Sequence, residues 1–264
     1  MMDARGPTQA EWLVLAYLAG DNDLEGALLD DLGEMERVGS RPGAVEILAQ
    51  VDRAAGFDAS GGDWQTTRRY YVTRSAETRS AHGQGADARG AGRRRIASRL
   101  LADLGETNTG DPRVLEDFIA FGARQFPARA CAVILLNHGS GFYVPPEMLS
   151  KTRLSPTRRG GFFHTTRRRL AALHPERRGI AYDDASADCL DNRELKAVLR
   201  HAHRVLGHRV DLVGMDACLM TMLEVAYQLR DHARILVGSE ELEPGAGWPH
   251  DRILADLTAR PAMA

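Results

Sequence analysis

Two stretches of this sequence end an apolar run on side chains that can do chemistry. CAVILLNHGSGF, residues 131–142, runs six mostly apolar residues into Asn137, His138, Gly139 and Gly141. VDLVGMDACLM, residues 210–220, runs into Asp216, Ala217 and Cys218. Each reads as a buried strand, and in open parallel sheets ligands sit beyond the carboxyl ends of the strands. On neighbouring strands the imidazole and the thiol would face one crevice. Cys218 is expected to open a helix, whose N-terminus favours the thiolate. A thiolate attacks a carbonyl carbon, and a nearby His can protonate the leaving amine. The N–H groups of Gly139 and Cys218 could then hold the oxygen of a tetrahedral intermediate. Taken alone, a free Cys is more often inert core and a strand-end His is often an ordinary polar residue. Two strand ends matching together tip the balance towards chemistry. Cys131, inside a strand, and Cys189, in a polar connection, are assigned to structure.

The elements that must position this pair alternate in type. EWLVLAYLAG reads as a buried strand broken at Gly20, and DNDLEGALLDDLGEMERVG as a helix with Leu24, Leu28, Leu32 and Met35 on one face. AVEILAQVD is a second buried strand ending at Asp52, and the order strand, helix, strand indicates a parallel crossover. WQTTRRYYVTR has the content of a more exposed strand. Residues 75–95 hold almost no large apolar side chain and read as a mobile surface loop. Asp111 and Pro112 open a helix that leads into the strand before His138. Asp191 and Glu194 have capping-box spacing at the head of another. VDLVGM, a helix from Cys218 to Leu229, and the strand RILVGS follow, and DRILADLTARPAMA ends as a helix running into a proline. The pattern is an α/β domain with a mostly parallel central sheet covered on both faces, lacking a final strand that such sheets often carry.

The totals narrow the class. The 264 residues suffice for one large domain, and a formal charge of −2 argues against a nucleic-acid binder. No apolar run is long enough for a membrane span and the first residues lack a signal-peptide pattern. A cytoplasmic location is therefore expected, with secretion only for a trimmed N-terminus. Three widely spaced cysteines make neither a disulfide framework nor a zinc site. Residues 151–178 stand apart, with nine Lys or Arg against Glu176 as the one acid.

The sequence resembles the clostripain-like cysteine peptidases, family C11 of the caspase-like clan. His138-Gly139 and Ala217-Cys218 match the clan's two motifs. AYLAGDNDLE, LGETNTGDP, LLNHGSGF, DLVGMDACLM, LEVAYQL and GSEELEPGAGWPH resemble family blocks, in family order. The resemblance implies one caspase-like α/β sandwich over residues 1–264 and a Cys-His endopeptidase. It further implies cleavage after Arg or Lys, with Asp216 lining the pocket for the basic side chain. A carboxylate there pairs with a guanidinium bidentately; the alternative is that Asp216 caps the helix expected at Cys218. Similar enzymes carry an activation cleavage site between the two motifs, which directs attention to Lys151 and Arg153. Clan relatives place a polar group near the His, a role open to Asn22 or Asp21, although both could equally cap the next helix. Ser239 and Glu240 are expected in another wall of the cleft.

No cofactor is implied. Some relatives depend on calcium, but no loop here has EF-hand spacing, so no metal ligand is assigned. Protein or peptide substrates with basic residues are the expected partners, with no nucleic acid and no membrane, and a monomer is expected rather than an oligomer. An esterase would need G-x-S-x-G and a phosphate-binding enzyme G-x-x-x-x-G-K-[ST]; neither occurs. The rival is a catalytically incomplete caspase-like fragment acting as a binding or regulatory domain.

Overall fold

The computed structural model describes residues 9–75, 95–142 and 178–262. The polar stretch at about 75–95 and the basic segment at about 150–180 fall almost wholly outside these residues, Lys151 and Arg153 with them.

Strands β1 (Ala10–Leu18), β2 (Val45–Val51), β5 (Ala128–Leu136), β8 (Val210–Asp216) and β9 (Ala233–Val237) form the parallel part of a seven-stranded sheet. Its order is β4-β3-β2-β1-β5-β8-β9, with β3 (Arg68–Tyr71) and β4 (Arg99–Asp103) antiparallel at one edge. Strands β6 (Gly179–Asp183) and β7 (Asp188–Asp191) make a separate antiparallel pair. β4 and the β6–β7 pair are additions to the strands expected from the sequence.

β1 is central, and both of its faces are buried, as parallel sheets require. Successive side chains point to opposite faces, so Leu13, Leu15 and Tyr17 join one core while Trp12, Val14, Ala16 and Leu18 join another. The first core is closed by α2 (Pro112–Gln125), α3 (Asn192–Leu206) and α4 (Leu223–Leu229) through Phe118, Leu199 and Val225. The second is closed by α1 (Glu25–Val38) and α5 (His250–Ala259) through Leu28, Leu32, Met35 and Leu254. Helix, sheet, helix is the three-layer α/β sandwich expected, with a mostly parallel sheet.

Helix starts follow the local chemistry. The Asp111 side chain accepts the Arg113 N–H with Pro112 in the first turn, and Asp191 and Glu194 form a full capping box. β3 is less exposed than its composition predicts. Arg69 is buried because its guanidinium donates to Gln50 and Asp117 while lying over Phe118 and Phe121.

The largest departure lies after β8. No helix begins at Cys218: residues 217–222 are turns, Leu219 adopts φ +67°, and α4 starts only at Leu223. A left-handed residue cannot continue an α-helix, so the apolar spacing of Leu219 and Met220 reflects burial in a turn. The helix dipole expected at the thiol is absent. Asp216 therefore caps no helix either.

Candidate active site

β5 and β8 are neighbours, and their parallel register pairs Leu136 with Asp216. The next two residues on each strand are Asn137-His138 and Ala217-Cys218, so the two motifs leave the sheet side by side. The contact between them admits no side chain at residue 139. A Cβ on Gly139 would collide with the Cys218 carbonyl oxygen and lie 2.6 Å from Met220 Cγ. Gly141, at φ +65°, meets Met222 and Leu219 in the same way. The loop after β5 is fixed from its other side by β6. The Tyr182 N–H donates to Asn137 Oδ1 at 2.7 Å, the Asn137 amide donates to the Ala19 carbonyl, and Ser140 Oγ lies 2.5 Å from the Tyr182 hydroxyl.

His138 is buried, with Nε2 2.8 Å from Asp23 Oδ1. The carboxylate that meets the ring is thus one or two positions beyond the residues expected. Asn22 instead donates to the Ala19 and Tyr182 carbonyls and accepts the Leu24 N–H, which ties the start of α1 to β6. Asp21 turns towards Asp52, Glu106 and Asp183, whose ligand oxygens all lie within 4.8 Å of one another. Periodicity in GDND could not have resolved which of three consecutive polar residues faces the His; only the turn into α1 does so.

His138, Cys218 and Asp216 line one small open cleft, together with Asp31 from α1 and Glu243, Pro244, Gly245 and Gly247 from the loop after β9. The Cys218 thiol is partly exposed and accepts the Glu243 N–H at 3.3 Å. Burial pushes its pKa up; the Glu243 N–H works the other way, and the carboxyls of Glu243 and Asp216 add to the rise. Together these influences favour the thiol, in contrast to the thiolate expected from a helix N-terminus. Asp216 is held from two directions: the Trp248 N–H donates to Oδ2 at 2.9 Å, and His250 Nε2 lies 3.1 Å from the same oxygen. His250 is wholly buried and its own N–H donates to Glu34. Gly247, at φ +61°, allows the loop to pass over Asp216, where a Cβ would sit 3.0 Å from Oδ2. Burial, then the nearby Asp216, raises the Glu243 carboxyl to about 8. The loop after β9 does wall the cleft, but not through the residues expected: Ser239 is half-buried with its hydroxyl on the Glu241 N–H, Glu240 is exposed, and neither lines the cleft.

Two groups among the described residues bring metal-type ligands together: Asp31 and Asp216 of the cleft with the buried His250, and Asp21, Asp52, Glu106 and Asp183 near the ends of β1 and β2. The second set is all oxygen, the donor type of a hard cation such as calcium. Cys131 and Cys189 are fully buried, as a structural role requires.

Comparison with known proteins points to one family and one fold. A model of the Clostripain family (peptidase C11) matches residues 16–153 and 168–263. Clostripain from Hathewaya histolytica is 28% identical over 261 residues, covering 93% of this chain and 42% of that protein. Among solved structures, a secreted C11 cysteine protease from Bacteroides thetaiotaomicron bound to an irreversible peptide inhibitor superposes with a TM-score of 0.58 at 19% identity. An inactive zymogen C11 protease from Parabacteroides distasonis gives 0.59 at 20%. The alignments cover 94% and 96% of this chain and 54% and 55% of those. The chain therefore spans less than half of the curated relative and just over half of the solved ones. No described helix is long and apolar enough to cross a membrane.

The acidic group next to β1 and β2 gives a stability prediction. Burial is the main cause that lifts the Asp52 carboxyl to about 8, well above its unfolded value near 4. Wild type thus loses stability as pH rises from about 4 to about 8, because over that range unfolding releases a proton that the folded state keeps. In buffer with a chelator, Asp52→Asn should melt above wild type at pH 9, with the gap closing towards pH 4. A gap independent of pH in thermal melts would contradict this.

Proposed function

The chain belongs to the clostripain family of C11 cysteine peptidases, and from that premise we propose that it cleaves peptide bonds after Arg or Lys through Cys218 and His138. The observation that carries the reading is the cleft beside the thiol, where Asp216 and Glu243 put carboxyl groups next to the nucleophile. Such groups favour a positively charged side chain, most strongly where water is excluded.

The resting Cys218 is a thiol, so His138 takes its proton as the sulfur attacks the scissile carbonyl. The same proton passes to the leaving amine when the tetrahedral intermediate collapses to a thioester. Water then attacks the thioester, His138 again moving the proton, and the acid product leaves with the thiol restored. Asp23 holds the imidazole in place during both transfers. The N–H groups of Gly139 and Cys218 are assigned to the oxyanion, a role supported by the close approach of the two motifs. The substrates are proteins or peptides, and the whole of residues 1–264 acts as one peptidase domain and as a monomer. No cofactor enters these steps; calcium would find its donors at Asp21, Asp52, Glu106 and Asp183. Three free cysteines favour a reducing, cytoplasmic setting, and cell fractionation checks it.

Activation is assigned to cleavage near Lys151 or Arg153. Two things support it: the density of basic residues between the two motifs and the inactive zymogen among the similar structures. Purified wild type is expected to yield fragments with new ends at these residues, and Cys218→Ala to stay whole. Identical behaviour of the two in mass spectrometry would remove self-processing.

The central test is covalent. A peptidyl Arg-chloromethylketone should label wild type and not Cys218→Ala, while an Asp-containing probe labels neither. Labelling by the Asp probe alone would reverse the specificity, and labelling by neither would favour a binding or regulatory domain. Asp23→Asn should lower kcat roughly 10- to 100-fold with KM little changed, because it weakens the hold on the proton carrier. An unchanged kcat would make Asp23 irrelevant to the reaction.

A further inference from the structure

The cleft holds a carboxyl that the dyad does not use. Asp31 projects from α1 into the same cleft as Cys218, His138 and Asp216. It is 6% exposed, and no donor among the described residues hydrogen-bonds to it. Its neighbours in charge are Asp216, Glu34 and Asp30, all acidic. One of its oxygens lies within 4.8 Å of an oxygen of Asp216 and of a ring nitrogen of His250. Buried polar groups are ordinarily hydrogen-bonded, and leaving one without a donor is costly. A helix facing a protein core gains nothing from such a residue unless something beyond the described residues completes it.

We propose that Asp31 is a specificity-determining residue, which with Asp216 clamps one guanidinium between two carboxyl groups and selects arginine over lysine. The proposal rests on the reading of this cleft as the pocket for a basic side chain. Asp216 is already oriented by the Trp248 N–H and His250, whereas Asp31 meets no hydrogen-bond donor among the described residues. A guanidinium is a planar fork with donors on more than one edge, so it can satisfy both groups at once. It is also less strongly hydrated than an ammonium and so better suited to a site whose acid walls are buried. Burial, with the neighbouring Asp216, Glu34 and Asp30, pushes the Asp31 carboxyl well above the usual carboxylate range in the empty pocket. The arriving cation supplies the charge that lets it ionise, and the released proton goes to solvent.

The test compares rates of Cys218 alkylation by Arg-, Lys- and Leu-chloromethylketones and by iodoacetamide in wild type, Asp31→Asn and Asp31→Ser. Loss of one charge-assisted contact should slow the Arg reagent by roughly 10- to 100-fold in both variants. The Lys reagent should slow less, and the Leu reagent and iodoacetamide should hardly change. Both variants should melt at or above the wild-type temperature, since they lose a buried carboxyl that no described donor satisfies. Wild type preferring Arg over Leu, with both variants keeping that preference, would overturn the role of Asp31 alone. Wild type with no preference for Arg over Leu overturns the basic pocket and this proposal together. An equal loss with every reagent, iodoacetamide included, also overturns it, because it makes Asp31 part of the scaffold.

Discussion

Parallel pairing of β5 with β8, in register through Leu136 and Asp216, is the constraint on which the site depends. It delivers an imidazole and a thiol from segments 80 positions apart (218 − 138) to one edge of the sheet. The pairing leaves no freedom at the junction, because Gly139 packs directly on the backbone of Cys218. A one-residue slip of β5 would move every buried side chain of that strand to the opposite face. Both cores would then resist it, since Cys131, Val133 and Leu135 belong to one and Ala132, Ile134 and Leu136 to the other. The placement of His138 beside Cys218 is therefore held by ordinary hydrophobic burial along the two strands.

Around that junction the chain gathers carboxyl groups where burial makes their charge expensive. Asp31, Asp216 and Glu243 surround the cleft, and Asp21, Asp52 and Asp183 lie near the ends of strands. Burial raises the carboxyls of Asp31, Glu243, Asp21 and Asp52, so each of these lowers stability as pH rises when no cation is present. Only some are reconciled with the fold by local donors. Asp183 accepts the Thr109 N–H and the Ser186 N–H, and Asp52 accepts the Thr67 hydroxyl. Asp31 has no such donor among the described residues, which sets it apart from carboxyls that merely shape loops. Functional sites are where a chain tolerates this kind of local conflict.

Much of this was legible in the sequence, for definite reasons. A buried parallel strand must be apolar on both faces, so β1, β2, β5 and β8 stood out as continuous runs. Asp111-Pro112 and the Asp191–Glu194 pair carry their capping chemistry within four residues, so α2 and α3 could be placed with their caps. His138 and Cys218 were visible because each interrupts an apolar run at its end. What escaped depends on backbone turns and on distant packing. Leu219 at φ +67° breaks what the apolar spacing presents as a helix, and nothing in a leucine announces that conformation. Asp23 was passed over for its two neighbours because a tight turn decides which side chain faces inward. β4 holds only two large apolar residues, Leu100 and Leu101, too few for a clear alternation. Asp31 follows Asp30 in a helix, and only the packing of α1 on the sheet buries one of the pair and leaves the other half-exposed.

The thiol's environment links specificity to reactivity within the proposed mechanism. Without a helix N-terminus, the Glu243 N–H is the donor at 3.3 Å that favours negative sulfur, while the carboxyls of Glu243 and Asp216 oppose it. A cation seated against those carboxyls neutralises their field at the sulfur. The step that forms the thiolate then becomes easier when a basic side chain occupies the pocket than when the pocket is empty or holds a neutral residue. Binding energy from a part of the substrate that does not react is thereby expressed in the chemical step, which raises kcat rather than merely lowering KM. A neutral side chain would leave the thiol protonated beside two acids, so the same residues that attract the preferred substrate also suppress attack on the wrong one.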